Sequence, residues 1–230
     1  MNILAFDTYG KTCTVAVGTD QQIIEKFSDN GLTHSVNLMP MIDAALQEAA
    51  IAPTDLNYIA VVGGPGSFTG VRIGISCAKG LAHGLQIPCI LLDTLDVLTA
   101  LTAPERTLIC PILDARAKQV YAKAVLASAA GVKEVISPGA LLLDDFIESI
   151  LEYPRILFCG DAVPIHREYI QSKLAQAMFS DVYCPRADVL IHKAKQYLDK
   201  AVHYYDLSPI YLRAPQAERM LKEKIDNARV

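Results

Sequence analysis

Hydrophobic and polar positions change period several times along the chain, and each change marks an element. Ile3 to Phe6 is a short apolar run closed by the turn Asp7-Thr8-Tyr9-Gly10. Thr12 to Val17 alternates with a period of two, and Ile23 to Phe27 follows a turn at Asp20-Gln21. These three stretches read as strands. From Thr33, placed as an N-cap, to Ala50 the apolar residues Val36, Met39, Ile42, Ala45, Leu46 and Ala49 recur every three or four positions, the stripe of a half-buried helix. Pro40 interrupts it. An interior proline costs a helix ~3 kcal/mol, so the helix is expected to begin near Met39 or to bend there. Strand Tyr58 to Val62, helix Thr69 to Leu85, strand Pro88 to Leu92 and helix Thr94 to Leu101 complete the first half.

The second half repeats the order. Strand patterns occur at Leu108 to Leu113, Gln119 to Leu126 and Val132 to Ile136. Helix Asp144 to Leu151, strand Ile156 to Cys159, helix Pro164 to Met178, a weak strand Val182 to Tyr183 and helix Ala187 to Tyr197 follow. Both halves read β-β-β-α-β-α-β-α, which predicts an α/β fold of two lobes, 1–103 and 104–230, joined at Pro104-Glu105-Arg106 and facing each other across a cleft. In each half the first strand ends in an aspartate followed four residues later by a lysine, Asp7 with Lys11 and Asp114 with Lys118.

Composition narrows the functional classes. With 230 residues, 52% of them hydrophobic and 20% charged, and a mean hydropathy of +0.27, the chain has ample material for a dry core, so wholesale disorder is excluded. A net charge of −4 repels phosphate backbones at long range, so contact with nucleic acid is expected to need a partner. The six cysteines stand singly, without Cys-x-x-Cys pairs or zinc spacing, and read as buried thiols of a reducing compartment. No stretch approaches the ~18 uncharged residues of a membrane span, and a soluble, cytoplasmic protein without membrane partners is expected.

The most informative stretch is Val61-Val62-Gly63-Gly64-Pro65-Gly66-Ser67-Phe68-Thr69-Gly70. A buried strand enters it, and Ser67 or Thr69 can cap the helix that follows. It reads either as an anion cradle at a helix N-terminus or as a tight turn with a good cap. It matches neither common phosphate fingerprint. Within the helix, Gly70, Gly74, Ala78 and Ala82 fall four apart, and Arg72, Ser76, Lys79 and His83 form a polar stripe. The small residues suit close packing either against the sheet or against a helix of another subunit.

Gly64-Pro65-Gly66-Ser67-Phe68-Thr69-Gly70-Val71-Arg72-Ile73-Gly74, followed by Ala78-Lys79-Gly80-Leu81-Ala82, resembles the signature of the TsaB (YeaZ) family. Further blocks match in order: Leu4 to Thr8, His34-Ser35 with Leu38 to Ile42, Asp114-Ala115-Arg116 with Val120-Tyr121, and Pro209 to Arg213. The chain departs from that pattern at Tyr9, where serine is usual, and at Ala162. The resemblance implies the two-lobed actin/Hsp70/sugar-kinase (ribonuclease H-like) fold. It also implies a role in forming threonylcarbamoyl on N6 of adenosine 37 in tRNAs that read codons beginning with A. The expected role is that of a non-catalytic partner of TsaD and TsaE, with tRNA met only through the complex, and of a homodimer in isolation through the same surface. No cofactor and no metal are expected, because the positions of TsaD's metal-binding histidine pair fall on Thr94 and Leu98, and leucine offers no ligand atom. By the same resemblance the helices His34 to Ala50 and Thr69 to Leu85 carry the interface, with His34, Leu38, Met41, Ile42, Ala45, Gly70, Arg72, Gly74, Ala78, Lys79 and Ala82 as its residues. Asp7, Thr8, Gly64, Gly66, Ser67 and Thr69 are the candidates for nucleotide or anion contact. The rival readings are a small-molecule kinase of the same superfamily and a purely structural homodimer.

Overall fold

The computed structural model describes residues 1–29, 34–100, 103–116, 118–129 and 131–213. Strands β1 (Ile3–Asp7), β2 (Cys13–Gly18), β3 (Ile23–Ser28), β4 (Tyr58–Val62) and β5 (Cys89–Leu92) form one mixed sheet in the order β3-β2-β1-β4-β5. Strands β6 (Leu108–Asp114), β7 (Gln119–Ser128), β8 (Gly131–Leu142), β9 (Ile156–Cys159) and β10 (Ala177–Phe179) form the other, in the order β10-β9-β6-β7-β8. Read from the opposite edge, the second order is the first one repeated. In each sheet the first strand runs antiparallel to the second and parallel to the fourth, so the duplication seen in the periodicity is also a duplication of pairing.

Helices α1 (His34–Glu48), α2 (Phe68–Leu85), α3 (Thr94–Leu98), α4 (Leu143–Glu148), α5 (Val163–Lys173) and α6 (Ala187–Gln196) complete the order β-β-β-α-β-α-β-α twice. β1 is buried along its whole length, as a parallel strand covered on both faces must be. α1 and α2 lie over one face of its sheet and α6 over the other.

The sheet period of two decides what lies between the lobes. On β6, Leu108, Cys110 and Ile112 enter the core of the second lobe, while Ile109 and Leu113 turn the other way and join the core of the first. On β7, Val120, Ala122 and Ala124 face inward and Val125 and Ala127 face the first lobe. Lys123 shares that outward parity. Its Nζ pairs with Asp96 of α3 at 2.5 Å and with Glu134 of β8 at 3.1 Å, so a charged residue is accommodated between lobes only with two carboxylates beside it.

Several expectations change. α1 runs continuously through Pro40 rather than beginning near Met39. Burial of Leu38, Ile42, Ala45 and Leu46 on its inner side offsets the missing hydrogen bond, and Pro40 itself lies outward. The cap assigned to Thr33 falls outside the described residues. The helix expected over 164–178 stops at Lys173, and its last apolar residues form β10, parallel to β9. Val182 and Tyr183 are not a strand, although the Val182 carbonyl accepts from Gly160 N. The strand expected over Val132 to Ile136 extends to Leu142 through Ser137-Pro138-Gly139; proline is tolerated there because β8 is an edge strand.

The largest change concerns α6. It lies in the half expected to form the second lobe, yet Ala187, Leu190, Ile191 and Ala194 belong to the core of the first. A Cβ on Gly18 of β2 would lie 2.6 Å from Ile191 Cγ2, so the helix is pressed against that sheet. A boundary at 103/104 divides the chain without dividing the packing. The physical reason is the buried apolar run Ile3 to Phe6 of β1, which needs a cover on its second face.

Candidate functional site

The ends of β1 and β4 and the start of α2 bring the candidate anion-binding residues together. Asp7 closes β1 with an Asx turn, its Oδ1 accepting from Tyr9 N at 2.9 Å, and Asp114 closes β6 in the same way with Arg116 N at 2.8 Å. The other oxygen of Asp7, Oδ2, is buried with no hydrogen-bond partner. Burial raises the Asp7 carboxyl to about 7, and the nearby charge of Asp161 pushes in the same direction. Asp161, in the loop after β9, is itself raised to about 6 by burial and accepts from Asp114 N.

Tyr9 occupies the space between these carboxylates and the glycine-rich turn. Its side chain is buried, its hydroxyl donates to the Tyr183 carbonyl at 2.8 Å, and its own carbonyl accepts from Ser67 N at 2.8 Å. Burial first, then the charges of Asp161 and Asp7, holds the phenol well above its usual value, so it remains a donor.

Ser67 caps α2, its Oγ accepting from Gly70 N at 3.3 Å. Thr8 Oγ1 donates to the Gly70 carbonyl at 2.7 Å. Gly63 accepts from Ile210 N, Gly64 accepts from Thr94 N, and a Cβ on Gly64 would lie 2.6 Å from the Ile210 carbonyl. A Cβ on Gly66 would lie 2.8 Å from Tyr9. The turn's glycines therefore make room for the chain's own Tyr9 and Ile210. Thr69 is exposed at the first turn of α2.

The expected interface residues divide between two environments. Gly70, Gly74, Ala78 and Ala82 are buried, and a Cβ on Gly74 would lie 2.6 Å from Thr8 Oγ1 and 3.3 Å from Val61 Cγ2. The small-residue stripe is the seam of α2 with its own sheet and is not available to another subunit. Leu38, Ile42 and Ala45 likewise face the core, Met41 is half-buried, and His34 Nε2 bonds the Gly10 carbonyl at 2.8 Å. The same periodicity leaves other residues outward: Val36 is 66% exposed and Met39 49%, with Pro40 and Ala44 beside them. Met39 Sδ lies 3.5 Å from Cys77 Sγ, which joins the outer edges of α1 and α2. On α2, Ile73 and Cys77 are half-buried and Gly80 is exposed with nothing within 4 Å of its Cβ position. Arg72 and Lys79 lie on the other flank of α2, against residues 203–211.

Thr94 and Leu98 are both buried in α3, and the Leu98 carbonyl accepts from Cys159 Sγ at 3.6 Å. Among the described residues no group of three or more His, Cys, Asp or Glu side chains is arranged to hold a metal ion. No helix among them is long and apolar enough to cross a membrane.

Sequence reasoning missed the strap formed by residues 201–213. Val202 exchanges two backbone bonds with Cys89 at the edge of β5, Ile210 docks on the glycine turn, and Arg213 Nη1 donates to the Ala115 carbonyl of the second lobe. Its block Pro209 to Arg213 was visible in the sequence; where it docks was not.

Comparison with known proteins bears on the whole chain. A family model described as "TsaD: tRNA N6-adenosine threonylcarbamoyltransferase" matches residues 29–228. The Bacillus subtilis "tRNA threonylcarbamoyladenosine biosynthesis protein TsaB" is 34% identical over 223 residues, covering 95% of this chain and 96% of that one. The Haemophilus influenzae protein of the same name is 27% identical over 227 residues, covering 93% and 94%. A crystal structure of a Pseudomonas aeruginosa protein with similarity to peptidase YEAZ superposes with a TM-score of 0.77 at 25% identity, covering 92% of this chain and 99% of that one.

Proposed function

The chain belongs to the TsaB (YeaZ) family of tRNA threonylcarbamoyladenosine biosynthesis proteins, and from that premise we propose that it acts as a non-catalytic partner subunit. It binds the transferase TsaD through the outward face of α1 and α2, in a cytoplasmic assembly that includes TsaE. In isolation the same face pairs two copies of the chain.

The observation that carries this reading is the apolar outer face itself. Val36 and Met39 stand out from a helix whose inner stripe is already satisfied, and the contact of Met39 with Cys77 continues that face onto α2. Exposed aliphatic groups on adjacent helices gain ~25 cal/mol per Å² when another helix pair covers them. A catalytic role is disfavoured by chemistry: Leu98 has no ligand atom, and Tyr9 and Ile210 occupy the approach to the glycine turn that a nucleotide's phosphates would need.

The test is Met39→Asp, which places a charge in that face without touching the core. The variant is expected to keep its unfolding midpoint, to elute apart from TsaD in size-exclusion chromatography, and to fail to restore the modified nucleoside in cells depleted of their own subunit. A Met39→Asp chain that still co-elutes with TsaD and restores modification would place the contact elsewhere.

A further inference from the structure

The flank of α2 turned away from α1 is of a different kind. The rings of Phe68 and Tyr211 stack with centroids 5.7 Å apart, the Arg72 guanidinium lies 3.8 Å above the Phe68 ring, and Arg72 Nε donates to Tyr211 Oη at 2.9 Å. Two turns along, Lys79 Nζ donates to the Tyr205 carbonyl at 3.3 Å. One turn further, the His83 ring packs on Tyr204 at 5.0 Å, and His203 lies 5.0 Å from Tyr205. The result is a ribbon of rings and cations, fixed on one side by α2 and on the other by the strap. From position 68 to position 83 it runs about 22 Å along the helix.

Two properties set this ribbon apart from a solvated helix flank. Its rings are accessible, Tyr205 being 70% exposed and Phe68 and Tyr211 about two-fifths so. Its cations keep their charge unneutralised: they bond to Tyr211 and to the Tyr205 carbonyl, and among the described residues neither Arg72 nor Lys79 forms an ion pair. The acidic residue of the strap is Asp206, beside Tyr205. Bases stack on exposed ring faces whatever their identity, and cations spaced along the same track hold the phosphates between them. Few cations among several rings suit an unpaired strand better than a duplex, whose denser charge calls for a continuous basic surface. The net charge of −4 is an average over the whole chain, and on this flank Arg72 and Lys79 stand against the single carboxylate of the strap, Asp206.

We propose that the ribbon Phe68–Arg72–Tyr211–Lys79–Tyr205–His83 is a direct contact site for single-stranded RNA on this chain. It rests on the proposed function only for the source of that RNA, the unpaired anticodon loop of the tRNA under modification.

The test measures fluorescence anisotropy of labelled oligouridylate and of an unmodified tRNA transcript with the full chain, over a range of salt. The wild-type chain is expected to bind both. Tyr205→Ala should weaken binding at least about fivefold, the lower end of what one base–ring stack contributes. Lys79→Ala should lower the slope of log affinity against log salt by about 0.7. Co-elution of each variant with TsaD is measured in parallel and should be unchanged. The proposal is overturned by a wild-type chain that binds neither RNA, by equal affinities for wild type and Tyr205→Ala, or by variants that lose TsaD while keeping RNA affinity, which would make the ribbon a protein interface. If the wild-type chain fails to bind TsaD, the partner-subunit reading falls, while the oligouridylate measurement still decides this one.

Discussion

Gly74 gives the sharpest test of how α2 is seated. Its Cβ position lies 2.6 Å from Thr8 Oγ1 and 3.3 Å from Val61 Cγ2, so Gly74→Ala forces Thr8 to withdraw. Thr8 then loses its bond to the Gly70 carbonyl, and a buried group left unpaired costs about 1–3 kcal/mol. Overpacking against Val61 adds about 1–3 kcal/mol, and the better helix propensity of alanine returns about 1 kcal/mol. The net expectation is a loss of roughly 3 kcal/mol. For a chain of this size, at ~2–4 °C per kcal/mol, that lowers the unfolding midpoint by about 6–12 °C. Gly80 is the internal control: it sits on the same helix with nothing within 4 Å of its Cβ position, so Gly80→Ala should gain about 0.5–1 kcal/mol. Thermal and urea unfolding of the two variants, followed by circular dichroism, should show opposite signs. A Gly74→Ala chain within ~0.5 kcal/mol of wild type would refute the close seating of α2 on Thr8 and return the small-residue stripe to the surface.

Two further outcomes follow from buried charges. The Asp7 carboxyl is raised to about 7 in the folded chain from an ordinary value near 3.8, chiefly by burial. The folded state therefore holds the proton more tightly, and stability should fall as pH rises from about 4 to about 7 and level off above. Asp7→Asn, whose Oδ1 can still accept from Tyr9 N, should flatten that slope in urea titrations across the window and stabilise the chain at pH 7.5; an unchanged slope would mean that Asp7 does not titrate there. Lys123→Ala strands the Asp96 carboxylate between the lobes, with Tyr197 Oη as its remaining side-chain donor. It should cost about 2–4 kcal/mol, somewhat below the usual loss for a buried pair because Glu134 is half exposed; a loss under about 1 kcal/mol would show that the pair does not join the lobes.

Most strands of both halves, β10 and the end of β8 excepted, were legible because each sheet buries one or both faces, and burial writes itself as period two or as an apolar run. The element order gave the duplication for the same reason. What periodicity cannot carry is the identity of the neighbour. Gly70, Gly74, Ala78 and Ala82 share a face of α2, and that much is fixed by a spacing of four. Whether the backbone approaching that face belongs to another subunit or to Thr8 and Val61 of the same chain is not a property of the spacing. α6 illustrates the same point at longer range, since its stripe Ala187, Leu190, Ile191 and Ala194 is clear in sequence while its docking on the first sheet depends on which face of β1 lacks a cover. Local mistakes had local causes. Ala177-Met178-Phe179 extends the apolar spacing of α5, and only the parallel partner β9 makes it a strand.

The seating of α2 also bears on how the two proposed surfaces act together. Tyr9 bonds to Tyr183, Lys123 to Asp96, and Arg213 to Ala115, so side chains of both halves fasten the lobes at separate points. A domain closure about a bound ligand would have to break these partly buried polar contacts, at about 1 kcal/mol each. The interior is thus poorly suited to a moving cleft, and the exterior is held stiff by the same contacts. α2 is seated closely, because Gly70 and Gly74 leave no room for a side chain between its backbone and Thr8. Its two flanks, one continuous with Val36 and Met39 and the other lined by Arg72 and Lys79, are therefore locked at a constant angle to each other. A partner bound on the first flank and a strand bound on the second would be held in a fixed relative orientation, which is what positioning one adenosine against another subunit's reacting group requires.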